Sequence, residues 1–310
     1  MLAPKRPRNP AIPGTPRDRT GSLGLLRRAV SLIDRRWEGL RKDVIAAFDR
    51  IPVYTLNEEA ALVRYGMTPT AMDQTMQEIH AALERWVQDG RELKHFFWWD
   101  PFVQQAAQLG AAQSVANLGN LSAQYAAARS LEQVVMSEPY RTRVGLAQIK
   151  SYEHWTGIKA DAQSKLAGII GRAVVDGLNP SAARKLIEEG LEVSKSRALQ
   201  YAQTDITDTL RQARWAEAED AQESLGIKVG MLWTSALLPT TRTTHAVRNG
   251  QVYTTEAVRT FYGQKGNRYN CHCGQTECLL DASGQPILTD RLKKTMAEER
   301  ESWTAQRIRT

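Results

Sequence analysis

Cysteines and histidines near the C-terminus are the residues of this 310-residue chain best suited to bind a metal ion. All three cysteines of the chain, Cys271, Cys273 and Cys278, lie in the short stretch NRYNCHCGQTEC. Thiolate and imidazole groups are ligands that Zn²⁺ takes in proteins, usually four in a tetrahedron. His245 lies far enough upstream for a strand and a loop to bring it back to the cysteines.

The sequence therefore predicts a zinc site formed by Cys271, Cys273, Cys278 and His245. His272 is the alternative fourth ligand, but it alternates with its cysteine neighbours and points away from them if the segment is extended. A site without metal is the other interpretation, with small buried thiols and locally hydrogen-bonded histidines.

Catalytic residues are not predicted. Glu256 and Glu277 are carboxylates in the same region, but neither belongs to a motif such as H-E-x-x-H. The chain has no P-loop, no G-x-G-x-x-G after a strand and no G-x-S-x-G. We expect a protein that is not an enzyme, in which the cysteine cluster stabilises the C-terminal module.

The positive charge of the chain is concentrated at its N-terminus. The net charge is +7, and residues 1–50 contain 12 Lys/Arg against 5 Asp/Glu. Prolines recur at every third position from Pro4 to Pro16, which predicts an extended arm over residues 1–21. We expect this arm to bind double-stranded DNA without sequence preference, through Lys5, Arg6, Arg8, Arg17 and Arg19. A solubilising tail, or an arm that docks in a groove of a partner protein, is the alternative.

Residues 22–225 are predicted to form a helical body. Leu26, Val30 and Ile33 begin an apolar stripe at helical spacing, and Thr68-Pro69, Asp100-Pro101 and Asn179-Pro180 are typical helix starts. Residues 101–128 carry no charge and are rich in Ala and Gln, which favours close helix packing or a subunit contact. The four aromatic residues before this stretch are predicted to form a protein interface: Phe96, Phe97, Trp98 and Trp99.

Short β-like runs follow residue 226, which indicates a small α+β module over residues 226–290 and a polar helical tail over 291–310. The fold class predicted is therefore α+β, mainly α, with an extended N-terminal arm. No signal peptide and no transmembrane helix are expected, because no apolar run is long enough.

The order of features around the cysteines resembles the phage Mu F-like minor head protein family, also called head morphogenesis proteins. A long helix that ends before Gly226 is followed by the strand MLWTSALL, the segment RTTHAVRNGQVY and the triplet Cys-His-Cys. The residues that match the family pattern are Trp233, Thr234, Arg242, Thr243, His245, Gly250, Cys271 and Cys273.

Two positions depart from the family pattern. An Asp that usually precedes the Arg-Thr pair is replaced by the stretch Leu238-Pro239-Thr240-Thr241, and His272 stands where the triplet usually has Arg. The missing carboxylate argues against a metal site or a reaction that depends on that Asp.

The resemblance implies a minor capsid protein of a tailed bacteriophage, present in the virion in few copies. Such a protein would associate with the portal protein or the major capsid protein, at the portal vertex or the head interior, after synthesis in the host cytoplasm. It would act in head assembly, DNA packaging or DNA ejection. The alternatives are a zinc-dependent enzyme acting on DNA, such as a nuclease or a transferase, and a cellular interaction protein with a zinc knuckle.

Overall fold

The structure, a computed structural model, describes residues 8–15, 17–57, 62–88 and 97–308. Its helices are α1 Leu23–Asp49, α2 Pro69–Leu83, α3 Asp100–Leu121, α4 Ala123–Ala128, α5 Leu131–Met136, α6 Glu138–Asp176, α7 Pro180–Leu225, α8 Thr243–Ala246, α9 Thr255–Gly263 and α10 Asp290–Ile308. Its strands are β1 Val53–Asn57, β2 Leu62–Tyr65, β3 Val229–Thr234, β4 Val252–Tyr253 and β5 Gly274–Leu279. The fold is mainly helical with a small antiparallel sheet near the C-terminus, which confirms the predicted α+β class.

The chain divides into two compact units that are not continuous in sequence. One unit contains residues up to 26, Phe102–Ala147 and the chain from residue 203 onward; the other contains Arg27–Pro101 and Gln148–Ala202. The boundaries predicted after residues 21, 225 and 290 do not coincide with these units, because α1, α6 and α7 each contribute residues to both.

The unit of residues 27–101 and 148–202 has an apolar core formed by α1 and its partner helices. The predicted stripe of α1 is buried at Ile33, Trp37 and Leu40, as helical spacing requires. An antiparallel hairpin of β1 and β2 interrupts the predicted helical body. Its strand sequences, VYTLN and LVRY, are rich in β-branched and aromatic residues, which favours strands over helix.

Helix starts were predicted well from capping chemistry. The Thr68 side chain accepts a hydrogen bond from the Ala71 amide, directly before Pro69 at the first position of α2. At the start of α7, the Asn179 side chain accepts from the Ser181 amide. In both cases a side chain satisfies a backbone donor that has no partner within the helix.

The other unit contains the three-stranded sheet, in the order β4-β3-β5 with antiparallel pairs. One face of β3 packs Met231 and Trp233 into a core that also contains Trp215 of α7. Helix α3 reaches α7 at Gly110, where a Cβ atom would lie 2.3 Å from the Leu210 carbonyl oxygen. The small residues predicted to allow close packing therefore do so within this unit.

The described part of the N-terminal arm lies along its own chain rather than extending away from it. Ile12 packs against the cluster that contains Leu288 and Met296, and the Ala11 amide donates to the Asn117 side chain at 2.8 Å. Within the described residues, none of the helices combines the length and the apolarity that a bilayer span requires.

Candidate metal centre

Two segments position the site residues. One is the connection from β3 to β4, residues 235–251, called the turn below, and the other is the loop before β5. His245 lies on the short helix α8 within that turn, and Cys271 and Cys273 come directly before β5. The buried Asn249 closes the turn, because its side-chain oxygen accepts from the Ser235 amide at 2.8 Å. β3 and β5 are paired along their whole length, so the turn and the cysteine loop meet at the same end of the sheet.

The structure brings His245, Cys271 and Cys273 together. The Nδ1 atom of His245 lies 3.4 Å from the Cys271 sulfur and 3.8 Å from the Cys273 sulfur, and all three residues are buried. Their three candidate ligand atoms lie within 4.8 Å of one another. These residues come from segments more than 25 positions apart, so their convergence is a property of the fold.

This geometry fits a tetrahedral metal ion. With Zn–S bonds of about 2.3 Å and Zn–N bonds of about 2.0 Å, a tetrahedral angle places sulfur and nitrogen about 3.5 Å apart. The two observed separations, 3.4 and 3.8 Å, bracket that value. The donor set of two thiols and one imidazole suits Zn²⁺ better than Mg²⁺ or Ca²⁺, which prefer oxygen ligands. The three residues can therefore hold a metal ion.

The two thiols differ in acidity. Burial alone would raise the pKa of Cys271, but hydrogen bonds from Cys273 and His245 and the charge of Arg211 hold that pKa well below its usual range. The pKa of Cys273 is raised, because its thiol donates to Cys271 and because it is buried. The surroundings of Cys271 thus stabilise a thiolate, which is the form in which cysteine binds a metal.

The buried guanidinium of Arg211 supports the loop that carries Cys271 and Cys273. Arg211 of α7 is fully buried, and its Nη1 atom donates to the Cys271 and Cys273 carbonyl oxygens at 3.4 and 3.3 Å. Its guanidinium also lies over the Tyr262 ring, at 4.4 Å from the centroid. The loop is thus held by its backbone, which leaves both side chains directed toward His245. Sequence reasoning missed Arg211.

Two hydroxyl groups complete the surroundings of the sulfur atoms. The Tyr262 hydroxyl lies 3.4 Å from the Cys271 sulfur, and the Ser235 hydroxyl lies 3.5 Å from the Cys273 sulfur. Ligands of a metal are usually oriented by such outer hydrogen bonds.

Cys278 is placed away from this group. It lies in β5, in a separate cluster with Leu232, Leu288 and Met296, and burial raises its pKa to about 12. Cys278 is five positions beyond Cys273, and the alternation of side chains along the strand puts it on the other face of the sheet. The structure therefore does not place Cys278 with the other predicted ligands, since it lies in a separate cluster on the other face of the sheet.

A cavity of about 100 Å³ opens next to the three residues. His272 lines it without joining the cluster of ligand atoms, and burial lowers the pKa of His272. Thr240, Thr241 and Arg242 form another part of the wall. His245, Cys271 and Cys273 would hold the metal, and the adjoining cavity could admit a small ligand or water.

The carboxylates considered for catalysis are not part of this cavity. Glu277 is fully buried in β5, where its carboxylate accepts from Arg214, Ser114 and Asn117. Burial raises its pKa, but the charge and hydrogen bonds of Arg214 outweigh burial and lower it. Glu256 lies in the first turn of α9. Glu277 is thus an anchor between the sheet and helices α3 and α7.

The residues of the family pattern form the framework of the site. The Trp233 ring stacks on Tyr262 with centroids 5.3 Å apart, and Thr234 is buried opposite Gly274. Gly250 has φ of +81°, and a Cβ atom there would lie 3.0 Å from the Met296 Cβ.

The Arg-Thr pair of the pattern connects the two halves of the site. The Arg242 guanidinium donates to the Asn267 and Tyr269 carbonyl oxygens, just before the cysteines. Thr243 begins α8 and so positions His245.

Of the residues predicted to bind DNA, Arg19 is unsuited to that role. It is buried, with an ion pair to Glu299 at 3.0 Å and a hydrogen bond to the Ser235 carbonyl oxygen. Arg8 and Arg17 are exposed, and Arg8 donates to the Asn120 carbonyl oxygen at 3.2 Å. Lys5 and Arg6 lie outside the described residues.

The predicted aromatic interface is largely an internal contact of its own unit. Trp99 is fully buried, and Trp98 packs edge-on against Trp155 with centroids 4.7 Å apart. Trp98 also donates to the Val87 carbonyl oxygen at 2.8 Å, and Phe97 packs on Trp155. Trp99 is therefore a core residue, whereas Phe97 and Trp98 are half-buried; aromatic residues satisfy a core and an interface equally well in a sequence pattern. Phe96 lies outside the described residues.

One family model matches part of the chain. Residues 165–276 match the family model described as Phage Mu protein F like protein. No curated protein and no solved structure matches the chain. The matched segment includes Arg211, His245 and both cysteines of the site. The similarity to the phage Mu F-like family therefore covers residues 165–276, about a third of the chain.

Proposed function

We propose that this protein is a minor head protein of a tailed bacteriophage that associates with the portal or the inner capsid and acts in head assembly, DNA packaging or DNA ejection. The observation that carries this proposal is the family match over residues 165–276. The site adds support, because the residues of the family pattern form one continuous framework around His245, Cys271 and Cys273.

The three residues bind one Zn²⁺ ion in this proposal. Bound zinc would supply crosslinks between the turn after β3 and the loop before β5. His245 contributes its Nδ1 atom, and Cys271 and Cys273 contribute thiolates held in place by Tyr262 and Ser235. Since two segments converge here, the ion stabilises the module by linking parts of the chain that are far apart in sequence.

We propose a structural role for this ion and no enzymatic activity. One observation favours the alternative of a zinc-dependent enzyme, namely the cavity beside the three ligands, since catalytic zinc sites keep one open position. Hydrolysis on zinc also needs a base, usually a carboxylate. The described lining of this cavity includes no Asp or Glu, and the nearby Glu277 is bound to Arg214.

The N-terminal arm binds duplex DNA without sequence preference in this proposal, through Lys5, Arg6, Arg8 and Arg17. Arg19 is excluded, because its charge is paired with Glu299. Four phosphate contacts would give a slope of log affinity against log salt of about −3.6.

The test is a tagged and a deleted copy of the gene in the phage that encodes the chain. The proposal predicts that the protein is found in purified virions at far fewer copies than the major capsid protein. It also predicts that deletion leaves heads that are aberrant, empty or unable to deliver DNA. Normal, infectious particles without the protein would overturn the proposal. Nuclease or transferase activity that is lost in Cys271→Ser would favour the enzyme instead.

A further inference from the structure

A groove of about 530 Å³ lies beside the edge of the three-stranded sheet, separate from the cavity at the cysteines. Strand β4 and helix α10 both contribute to its walls. Val252, Leu280 and Pro286 make part of the lining apolar, and Lys293 and Arg300 of α10 add two cations. This volume is in the range of pockets that bind small molecules or short peptide segments.

The charge in this groove is unbalanced. None of its described lining residues is Asp or Glu. Lys293 is exposed, and neither Lys293 nor Arg300 forms an ion pair with a described residue. Arg300 donates to the Asn249 carbonyl oxygen at 2.9 Å, which fixes the guanidinium at the groove wall. The groove therefore favours a ligand with negative charge.

The backbone of β4 offers a second recognition element. β4 pairs with β3 on one side only, as the edge of the sheet. Trp233 donates its amide to the Gln251 carbonyl, and Met231 pairs with Tyr253, so residues 251 and 253 are directed toward β3. Hydrogen bonding alternates along an antiparallel strand, so the N–H and C=O of Val252 point away from β3. Among the described residues these two groups have no hydrogen-bond partner.

We propose that this groove binds an extended acidic segment of a partner protein. The backbone of the segment pairs with Val252 at the sheet edge, an apolar side chain packs near Leu280 and Pro286, and a carboxylate binds Lys293 and Arg300. Addition of a strand to an exposed sheet edge is a common mode of peptide recognition. A DNA duplex is a poorer fit, because it offers no apolar side chain to pack against Val252, Leu280 and Pro286.

The experiment begins with selection from a display library of random dodecapeptides on the full-length protein. The affinity of the enriched peptides is then measured by fluorescence anisotropy. The proposal predicts enrichment of peptides with acidic residues next to apolar ones. Lys293→Glu should lower their affinity about tenfold or more, since it replaces a charge-assisted contact with repulsion.

Lys294→Glu is the matched control, because Lys294 is the neighbouring exposed residue of α10 and does not line the groove. Its effect should be less than about twofold, on the scale of an exposed surface charge. Methylation of single backbone nitrogens in the peptide should weaken binding at one or two positions only. The proposal is overturned if no peptide is enriched, if enrichment is not acidic, if the two lysine variants behave alike, or if a DNA duplex displaces the peptide through Lys293.

Discussion

The buried pair of Arg214 and Glu277 should be among the largest single contributions to the stability of the unit that contains the sheet. Both side chains are almost completely buried, and Glu277 also accepts from Ser114 and Asn117 at 2.8 and 2.9 Å. Arg214→Met removes the cation and leaves a buried carboxylate without its counter-charge. Breaking a buried pair in this way costs about 3–5 kcal/mol.

The double variant Arg214→Met/Glu277→Gln separates the charge from the packing. The neutral amide introduced by Glu277→Gln can still form hydrogen bonds with Ser114 and Asn117. We therefore expect the double variant to recover about half or more of the unfolding free energy that Arg214→Met loses. Glu277→Gln alone should cost less than Arg214→Met does.

The pH dependence of the free energy of unfolding is an independent test, and the direction of the change is known. The pKa of Glu277 is lowered in the folded protein, so its contribution to stability is present above the unfolded-state pKa of about 4.3 and is lost as pH falls through the lower folded value. In Arg214→Met the counter-charge is absent, so burial outweighs the remaining hydrogen bond from Ser114 and raises that pKa above its wild-type value. The difference between wild type and variant should therefore shrink as the pH is lowered from 8 to 5.

Hydrogen–deuterium exchange of the β5 amides, residues 274–279, is the suitable assay, because it reports the opening of the sheet itself. Arg214→Met should speed their exchange by about two orders of magnitude or more if exchange follows the equilibrium opening. If Arg214→Met lowered the free energy of opening by less than about 1 kcal/mol, the proposed contribution of the pair would be refuted. A double variant that is no more stable than Arg214→Met would refute it as well.

Further predictions concern the cores and the arm. Trp99→Ala should cost about 3–5 kcal/mol in its own unit, measured by thermal unfolding, since the side chain is fully buried; a loss below about 1 kcal/mol would argue against this packing. Gly110→Val should destabilise the protein in urea denaturation, because its Cβ would lie 2.3 Å from the Leu210 carbonyl oxygen; an unchanged midpoint would contradict the close approach. Arg17→Gln should weaken retention on a DNA column and reduce the slope of log affinity against log salt by about one. Arg19→Gln should leave that slope unchanged and lower the free energy of unfolding. Equal slopes in the two variants would show that the arm does not bind DNA.

The helices could be predicted from the sequence because local interactions determine where they start and which face is buried. A capping Thr or Asn before a proline marks the start of α2 and α7, and apolar spacing identifies the buried face of α1. The hairpin of β1 and β2 was missed, since two short strands inside a long helical region produce only a weak local pattern.

The candidate metal centre was partly predictable. His245, Cys271 and Cys273 were proposed from residue type and spacing alone, and the structure places them together. Cys278 was included because it is close in sequence, and it is excluded by the alternation of strand β5, which becomes visible only once the strand is known.

The supporting arginines were beyond sequence reasoning. Arg211 and Arg214 lie three positions apart on one face of α7, close to the buried Trp215. A charged residue in a helix is normally read as solvent-exposed. Only the tertiary contacts show that Arg211 holds the cysteine loop and that Arg214 holds Glu277.

X-ray absorption at the zinc edge, on full-length protein purified without chelators, is the most direct test of the central claim. We expect one zinc per chain with two sulfur ligands at about 2.3 Å and one imidazole nitrogen at about 2.0 Å. The spectrum should be unchanged in Cys278→Ser, and the zinc should be lost in Cys271→Ser. Protein that contains no zinc, or a spectrum with three sulfur ligands that loses one in Cys278→Ser, would contradict it.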